Sequence, residues 1–350
     1  MLGISIYAGL DLSLEDNLEY LTKAAELGIN KLFFSLHIPE VKESFSKEAA
    51  ILLEEAKKLN FEITADICKK YYKKLELKDF KIDALRFDFG FNNREIAAFS
   101  KEENFKINLN ASTLRKKDLQ EIESYNGNLN NIEVSHNYYP RPETGLSEVF
   151  MQEKNKMLKE YGFKIGAFIP ANYKKRSPIK AGLPSLEVHR DLAPLVSCQH
   201  LFKIGIDKVY IGDSRASDQE LKELSYLEKG KTILPLQSCP NISNTERELL
   251  EIEHTNREDP ADNIIRSQEA RTYSQGKTIP VRSTGVRFKY AVTIDNHRYQ
   301  RYQGELQILK KKFPADSRVN LVADAGEAAL LIENIQAGDK FKFYIKGDYQ

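Results

Sequence analysis

Cysteine is scarce in this 350-residue chain: Cys68, Cys198 and Cys239 are all it has. They are odd in number and none sits close to another, which suits a reducing compartment and argues against a disulfide framework or a cysteine-built zinc site. Net charge is nearly absent, because 52 Lys and Arg offset 51 Asp and Glu to leave +1. Neither nucleic acid nor an anionic membrane is therefore expected as a partner, and any anion site must be local. No uncharged apolar run is long enough to span a bilayer. The opening residues, MLGISIYAGLDL, carry no basic segment ahead of the apolar one, so no signal peptide is expected and a cytoplasmic location is. His-x-His, His-Glu-x-x-His, the Walker loop, the dinucleotide glycine turn and the Gly-x-Ser-x-Gly elbow are all missing. Neither a metal nor another cofactor is expected.

What is there alternates. LGISIY, KLFFSL, FEITADI, IDALRFDFG, FKINLNAS, NIEVSH, KIGAFI and DKVYIGD are short apolar runs. Between them lie amphipathic stretches such as LEDNLEYLTKAAELG, where Leu18, Leu21, Ala25 and Leu27 recur at helical spacing and Gly28 suits a C-terminal stop. Strands alternating with helices predict a parallel sheet, and eight such units predict an α/β fold of the (β/α)8 TIM-barrel type. A doubly wound open sheet competes, but the glycine-rich turn it favours after the first strand is missing.

The texture changes near SCPNISNTE. NTERELLEIEHTNREDPADNIIRSQEAR is polar and weakly helical. YAVTIDN, GELQILKK, RVNLVAD, AALLIENI and DKFKFYIK then read as short β-type runs, most of them separated by glycine and Pro/Asp/Asn turns. The expected organisation is a barrel over residues 1–235 and a small, mostly antiparallel β-barrel over 245–350.

In a parallel barrel the chemistry collects at the C-terminal ends of the strands. Strand two ends in SLHIPE, with Ser35, His37 and Glu40, and strand three ends at Asp66. In RFDFG, alternation puts Arg86 and Asp88 on one side of strand four, facing the mouth. Strand five offers Asn108 and Asn110. Strand six runs from Glu133 and Ser135 into HNYYPRPETGLS, a loop that brings His136, Asn137, Tyr138, Tyr139, Arg141 and Glu143. The loop after strand seven carries Arg176, Glu187, His189 and Arg190, and strand eight ends at Asp213. Each has an ordinary reading beside the functional one. Asp66 and Asp213 can cap helices, Arg86 and Asp88 can form a buried pair, His37 and His136 can simply pack, and the Lys174–Arg176 run and Glu187 can lie in solvent. Carboxylates among amides and aromatic rings are what glycoside hydrolysis requires: two carboxyl groups flank the bond and donors surround the ring.

SLHIPE, RFDFGF, HNYYPRPETGLS, GLPSLEVHR, GDSRAS and, far downstream, VTIDNHRYQRYQGELQI together resemble the 6-phospho-N-acetylmuramidase family, in order, over nearly the whole chain. The resemblance implies a TIM barrel followed by a cyclophilin-like β-barrel. It also implies hydrolysis of the β-1,4 bond in 6-phospho-N-acetylmuramyl-N-acetylglucosamine, a peptidoglycan turnover product phosphorylated on import. In one place the chain departs from the pattern: Tyr290-Ala291 stands where a glycine–acid pair is expected. Asp88 and Glu187 are the expected working pair, with Asp213 as the substitute, their surroundings setting the two pKa values apart. Arg141, Arg176 and Arg190 suit the phosphate and the lactyl carboxylate of this phosphorylated amino-sugar disaccharide. Tyr138, Tyr139, Asn108 and His37 would line the sugar site. Arg86, His136, Asn137, Glu143 and His189 complete the candidate binding residues. Homo-oligomerisation is left open. Competing readings are a non-catalytic cell-wall sugar-binding protein and a phosphosugar isomerase or aldolase on the same fold. For an aldolase, no strand ends in the lysine it would need.

Overall fold

The computed structural model of the chain describes residues 1–36, 45–72, 82–102 and 105–347, with only the backbone of residues 45, 46, 70 and 71. His37 and Glu40 lie outside the described residues. The chain divides into two compact units, Met1–Ser225 and Tyr226–Gln350.

In the first unit the strands are β1 (Leu2–Ile6), β2 (Lys31–Ser35), β3 (Glu62–Ile67), β4 (Ala84–Phe87), β5 (Lys106–Asn110), β6 (Ile132–Ser135), β7 (Ile165–Ile169) and β8 (Lys208–Ile211). They pair in chain order, all parallel, and β8 returns to β1 to close an eight-stranded barrel. All eight apolar runs read from the sequence are present as strands, and the expected TIM barrel is the fold. Helices between them follow from their own residues. The helix Leu14–Glu26 starts at Ser13, whose Oγ accepts from the Asp16 N–H at 3.1 Å while the Asp16 carboxylate accepts from the Ser13 N–H at 3.3 Å. Such a cap is worth about 1 kcal/mol, and the helix then buries Tyr20, Leu21 and Ala24.

Phe33, Phe168 and Tyr210 meet inside the barrel, with the Phe33 and Phe168 ring centroids 4.9 Å apart. Each such ring, fully buried, contributes about 1.5–3 kcal/mol. Tyr210 fits because residue 3 is glycine: a Cβ there would come within 2.5 Å of Tyr210 Cδ1.

The second unit is a seven-stranded sheet made of β9 (Lys231–Ser238), β10 (His254–Thr255), β11 (Ile264–Arg266), β12 (Ala291–Asp295), β13 (Leu306–Leu309), β14 (Val319–Asp324) and β15 (Lys340–Ile345). Its order is β10-β15-β9-β14-β12-β13-β11, antiparallel throughout except for β15 on β9. An Asn256–Ser267 bridge links the two outer strands and nearly closes the sheet into a barrel.

Three sequence expectations need correction here. Residues 231–238, not recognised as a strand, form one that pairs with both β14 and β15. AALLIENI is not a strand but a short 3-10 turn followed by the helix Ala329–Glu333. An apolar run this short carries no period, and alanine and leucine favour helix. NTERELLE is a true helix, Asn244–Glu251, started by a Ser243–Glu246 capping box that SNTE spells out. Tyr290, where the resemblance expects glycine, has a φ of 68°, the left-handed region that glycine occupies without strain.

Candidate active site

Inside the C-terminal mouth of the barrel, the ends of β3, β4 and β6 meet. Arg86 is 3% exposed; its Nη1 donates to Asp66 Oδ1 at 3.0 Å and its Nη2 to Asn137 Oδ1. Alternation along β4 predicts that Arg86 and Asp88 share a side, and Asp88 Oδ1 lies 3.7 Å from Arg86 Nη1. The difference is exposure: Asp88 has about a third of its side chain in solvent. Arg86 is thus tied into the wall, and Asp88 stands above it at the opening. Tyr138 packs edge-on to Phe33 and Phe168. The Arg176 guanidinium lies over the rings of Tyr7 and Tyr138, 4.5 and 5.9 Å from their centroids. Cation–ring attraction of this kind holds the guanidinium in place at the mouth.

The loops around this mouth are held by carboxylates. Glu187, on the loop after β7, accepts from the N–H of Glu143 at 2.9 Å and of Gly145 at 2.6 Å, both on the loop after β6. Arg190 donates to the same carboxylate at 2.5 and 2.7 Å. The Arg190 ion pair, joined by those N–H groups, holds the Glu187 pKa down to about 2. Arg190 also donates to the carbonyls of Tyr139, Arg141, Ala181 and Gly182, so its guanidinium is spent on the two loops. Gly145 is required by this closeness, since a Cβ there would sit 2.6 Å from Glu187 Oε2. Between the two anchored N–H groups, Glu143 has a φ of 69°, a strain of about 1–3 kcal/mol for a non-glycine residue.

Asp213, fully buried at the end of β8, does the same for the loop after β7. Its carboxylate accepts from the N–H of Ala171, Arg176 and Leu183 at 2.9, 2.9 and 3.2 Å. Burial raises its pKa despite those donors. The bond to the Arg176 N–H fixes the residue whose guanidinium covers Tyr7 and Tyr138. Asp11, after β1, accepts from the Ser177 N–H at 3.0 Å and from Ser214 Oγ at 2.6 Å.

The structure therefore brings Arg86, Asp88, Asn137, Tyr138 and Arg176 to the mouth. Tyr139, Arg141 and Glu143 lie on the loop that Glu187 and Arg190 anchor. Among the described residues the Arg141 and Glu143 side chains form no ion pair. Three expected residues lie elsewhere. Asn108 is buried in the barrel, donating to Glu133 at 3.1 Å and Ser135 at 2.9 Å. His136 points out of the barrel, between Ser112 Oγ and Asn155 Oδ1. His189 is buried against His200, their facing nitrogens 2.9 Å apart. Burial holds the pKa of His136 down to about 4 and of His189 to about 3. The residues that sequence reasoning missed are Tyr7 and Asp11. Their signal was position, just past β1, the one strand end from which no candidate was taken. Among the described residues, no group of three or more His, Cys, Asp or Glu side chains is placed to hold a metal ion. No described helix is long and apolar enough to cross a membrane.

Two family models match the chain, "6-phospho-N-acetylmuramidase, N-terminal" over residues 2–226 and "6-phospho-N-acetylmuramidase, C-terminal" over 232–344. Among solved structures, a conserved Enterococcus faecalis protein of unknown function is 33% identical, with a TM-score of 0.82 over 99% of this chain and 97% of its own. An uncharacterized B. cereus protein is 29% identical, with a TM-score of 0.84 over 98% of this chain and 99% of its own. No curated protein matches.

Proposed function

The chain belongs to the 6-phospho-N-acetylmuramidase family, glycosidases by name, and on that premise we propose that it hydrolyses the β-1,4 bond of 6-phospho-N-acetylmuramyl-N-acetylglucosamine in peptidoglycan turnover and recycling. The observation that carries the reading is how the rim divides its charges. Glu187 and Asp213 are occupied by backbone N–H groups. Asp88, Arg141 and Glu143 stand exposed around a mouth where Arg176 overlies two tyrosines.

The chemistry is assigned to Asp88 and Glu143. In such hydrolysis one carboxyl group protonates the leaving oxygen, and the other attacks the sugar carbon or activates water. Asp88, with the Arg86 cation beside it, serves as the anionic partner. The other carboxyl group is Glu143, whose side chain is exposed and forms no ion pair among the described residues. Glu187, Asp213 and Arg190 become positioning residues that hold Glu143 and Arg176 in place. Arg176 and Arg141 take the phosphate and the lactyl carboxylate, since a guanidinium fork matches both. Tyr138 and Tyr139 cover the apolar face of the sugar. The reaction as proposed runs on carboxylates alone, with no metal or other cofactor, in the cytoplasm where imported phosphosugar is found. The second unit is assigned to the cyclophilin-like barrels, a likeness of architecture that brings no prolyl isomerase activity with it.

Incubation with the phosphorylated disaccharide and mass detection of the two free sugars tests this. The phosphorylated substrate should turn over faster than its unphosphorylated form by about ten- to a hundredfold, the worth of a charge-assisted contact. Equal rates would leave a general hexosaminidase. Binding without release of sugars would make the barrel a sugar-binding module.

A further inference from the structure

The stretch NHRYQRYQGE, part of the downstream motif, lies in the second unit. It runs from the end of β12 to β13 as two short 3-10 turns broken at Gln300, whose φ of 52° and ψ of −115° lie outside the favoured regions for any side-chain-bearing residue. Backbone strain of this kind persists only where the surroundings hold it, and the strained residue lines a half-open cavity.

That cavity lies within the second unit, has a volume of about 390 Å³, and is lined by Gln300, Arg301 and Gln303 facing Arg257, Ser267 and Arg271, with further Gln, Ser and Thr side chains. No carboxylate and no apolar side chain is among the lining residues. Its arginines are unequally neutralised. Arg257 is paired through two nitrogens with Asp259, at 2.7 and 2.9 Å. Arg271 Nη1 is 3.9 Å from Glu305, whose nearer partner is Arg266 at 2.7 Å. Arg301 has no carboxylate within ion-pair distance among the described residues; its Nη2 donates to Tyr302 Oη at 2.9 Å. The guanidinium carbons of Arg271 and Arg301 lie 5.2 and 4.9 Å from the centroid of the same Tyr302 ring, and Arg271 Nη2 donates to the Arg301 carbonyl at 2.8 Å. Two cations are thus gathered on one ring with little negative charge to offset them, a poor arrangement for stability alone and a good one for an anion.

We propose that this cavity, lined wholly by residues of the second unit, is a second ligand site that binds an anionic carbohydrate: a single sugar ring bearing a phosphate or a carboxylate. Arg271 and Arg301 take the anionic group. Gln300, Gln268 and Gln275, all exposed along the lining, supply the amide groups that pair with ring hydroxyls. The volume is near the lower end of small-molecule sites, which span roughly 300–1,000 Å³, enough for one ring. The site rests on the second unit's own residues and stands whether or not the barrel hydrolyses the proposed bond.

The experiment is titration calorimetry on the full chain with four probes: N-acetylglucosamine 6-phosphate, N-acetylmuramic acid, N-acetylglucosamine and inorganic phosphate. The wild type is compared with Arg271→Gln/Arg301→Gln and with Gln300→Gly, which keeps the backbone conformation accessible while removing the amide. Circular dichroism checks the fold of each, and the same variants are assayed for disaccharide hydrolysis. The expected result is a binding event for one or both charged sugars that the double variant weakens by about ten- to a hundredfold, with the barrel's hydrolysis unchanged. The phosphate and carboxylate arms then show which anion the site prefers. A double variant that binds every probe as the wild type does overturns the proposal, as does neutral N-acetylglucosamine binding as tightly as the charged sugars. Inorganic phosphate matching the sugar phosphate also overturns it, because the carbohydrate contacts would then contribute nothing.

Discussion

At the N-terminal end of the barrel, charged side chains pair with one another. Lys208 reaches Glu62 and Glu133 at 2.7 Å each, and Lys31 reaches Glu62 at 2.5 Å. Asn108 donates to Glu133 from the layer above. At the C-terminal end, where Asp66 pairs with Arg86 and Glu187 with Arg190, carboxylates also hold backbone: Glu187 and Asp213 between them accept from five loop N–H groups. The first arrangement closes on itself and leaves no charge over. The second uses these two carboxylates to set the course of loops and leaves other charges, Asp88, Arg141 and Glu143, facing outward. A charged residue in this barrel is read by what it bonds to. Ion pairs that satisfy each other belong to stability, and carboxylates that anchor loops mark the end where those loops carry function.

The sharpest test of that division sets one residue from each end against the other. Asp88→Asn should lower kcat by roughly 10²–10⁴-fold, the range for losing an acid–base group, with an unchanged unfolding midpoint. Normal turnover in Asp88→Asn would end its catalytic assignment. Lys208→Met should do the reverse. It strands Glu133, whose side chain is 5% exposed, without its cation, at a cost of about 3–5 kcal/mol. Denaturant unfolding reads that loss, and the folded fraction should keep its kcat. A kcat collapse in folded Lys208→Met would put the lower network into the chemistry.

Glu187→Gln tests whether an anchoring carboxylate acts through its loop. The amide offers one acceptor where the carboxylate offers two, so a Glu143 or Gly145 N–H and part of the Arg190 fork lose their partner. A ten- to hundredfold loss in kcat/KM is expected, about 1.5–3 kcal/mol for contacts to a charged group. The loss should be shared between KM and kcat, because the residues displaced include both Arg141 and Glu143. A pure kcat loss as deep as that of Asp88→Asn would return Glu187 to the catalytic pair. pH gives an independent reading. Glu187 is a carboxylate whose folded pKa is depressed, to about 2, so its contribution is complete above the unfolded value of about 4.3 and fades as pH falls below it. The stability gap between wild type and Glu187→Gln should be constant above that point and shrink steadily towards pH 2. A gap that does not change with pH in this window would mean the carboxylate's charge is not what holds the loop.

The barrel was legible because eight apolar runs separated by amphipathic helices leave few other folds. The rim was legible as a set of residue types and less so as a set of roles. Arg86 and Asp88 were placed together correctly because strand parity is a local rule. The same parity, applied two strands over on β6, puts Ser135 inward and hence His136 outward, against its helix. For Glu187 the sequence shows a carboxylate and not that it accepts from N–H groups more than forty residues earlier. Gly145 was the readable hint, a glycine in a loop where something must come close. In the second unit AALLIENI reads as a strand because a run of five apolar residues fits a buried strand or a helix turn equally well, whereas Ser243 and Glu246 announce their helix through capping chemistry.

Arg141 carries the smallest expected effect, and it separates the two ends most finely. Its backbone is held by Arg190, which donates to its carbonyl at 3.2 Å, and by Thr144, whose hydroxyl donates to it at 2.6 Å. Its side chain, by contrast, is exposed and makes no ion pair among the described residues. Removing that side chain therefore leaves the loop standing and takes away only a charge that waits for substrate. Arg141→Ala should raise KM for the phosphorylated disaccharide a few-fold, about five at most, since an exposed ion pair is worth about 0.2–1 kcal/mol. kcat should not move, because nothing that touches the reacting atoms is lost. Arg141→Lys should recover part of the KM, keeping the charge without the fork. Salt should erase the difference: at about 1 M the screening length falls to about 3 Å, and wild type and Arg141→Ala should converge. If the KM gap survives at high salt, or if kcat falls while KM holds, Arg141 is acting through the loop it sits on and not through its charge, and the upper rim would then resemble the lower one, with its charged groups maintaining structure.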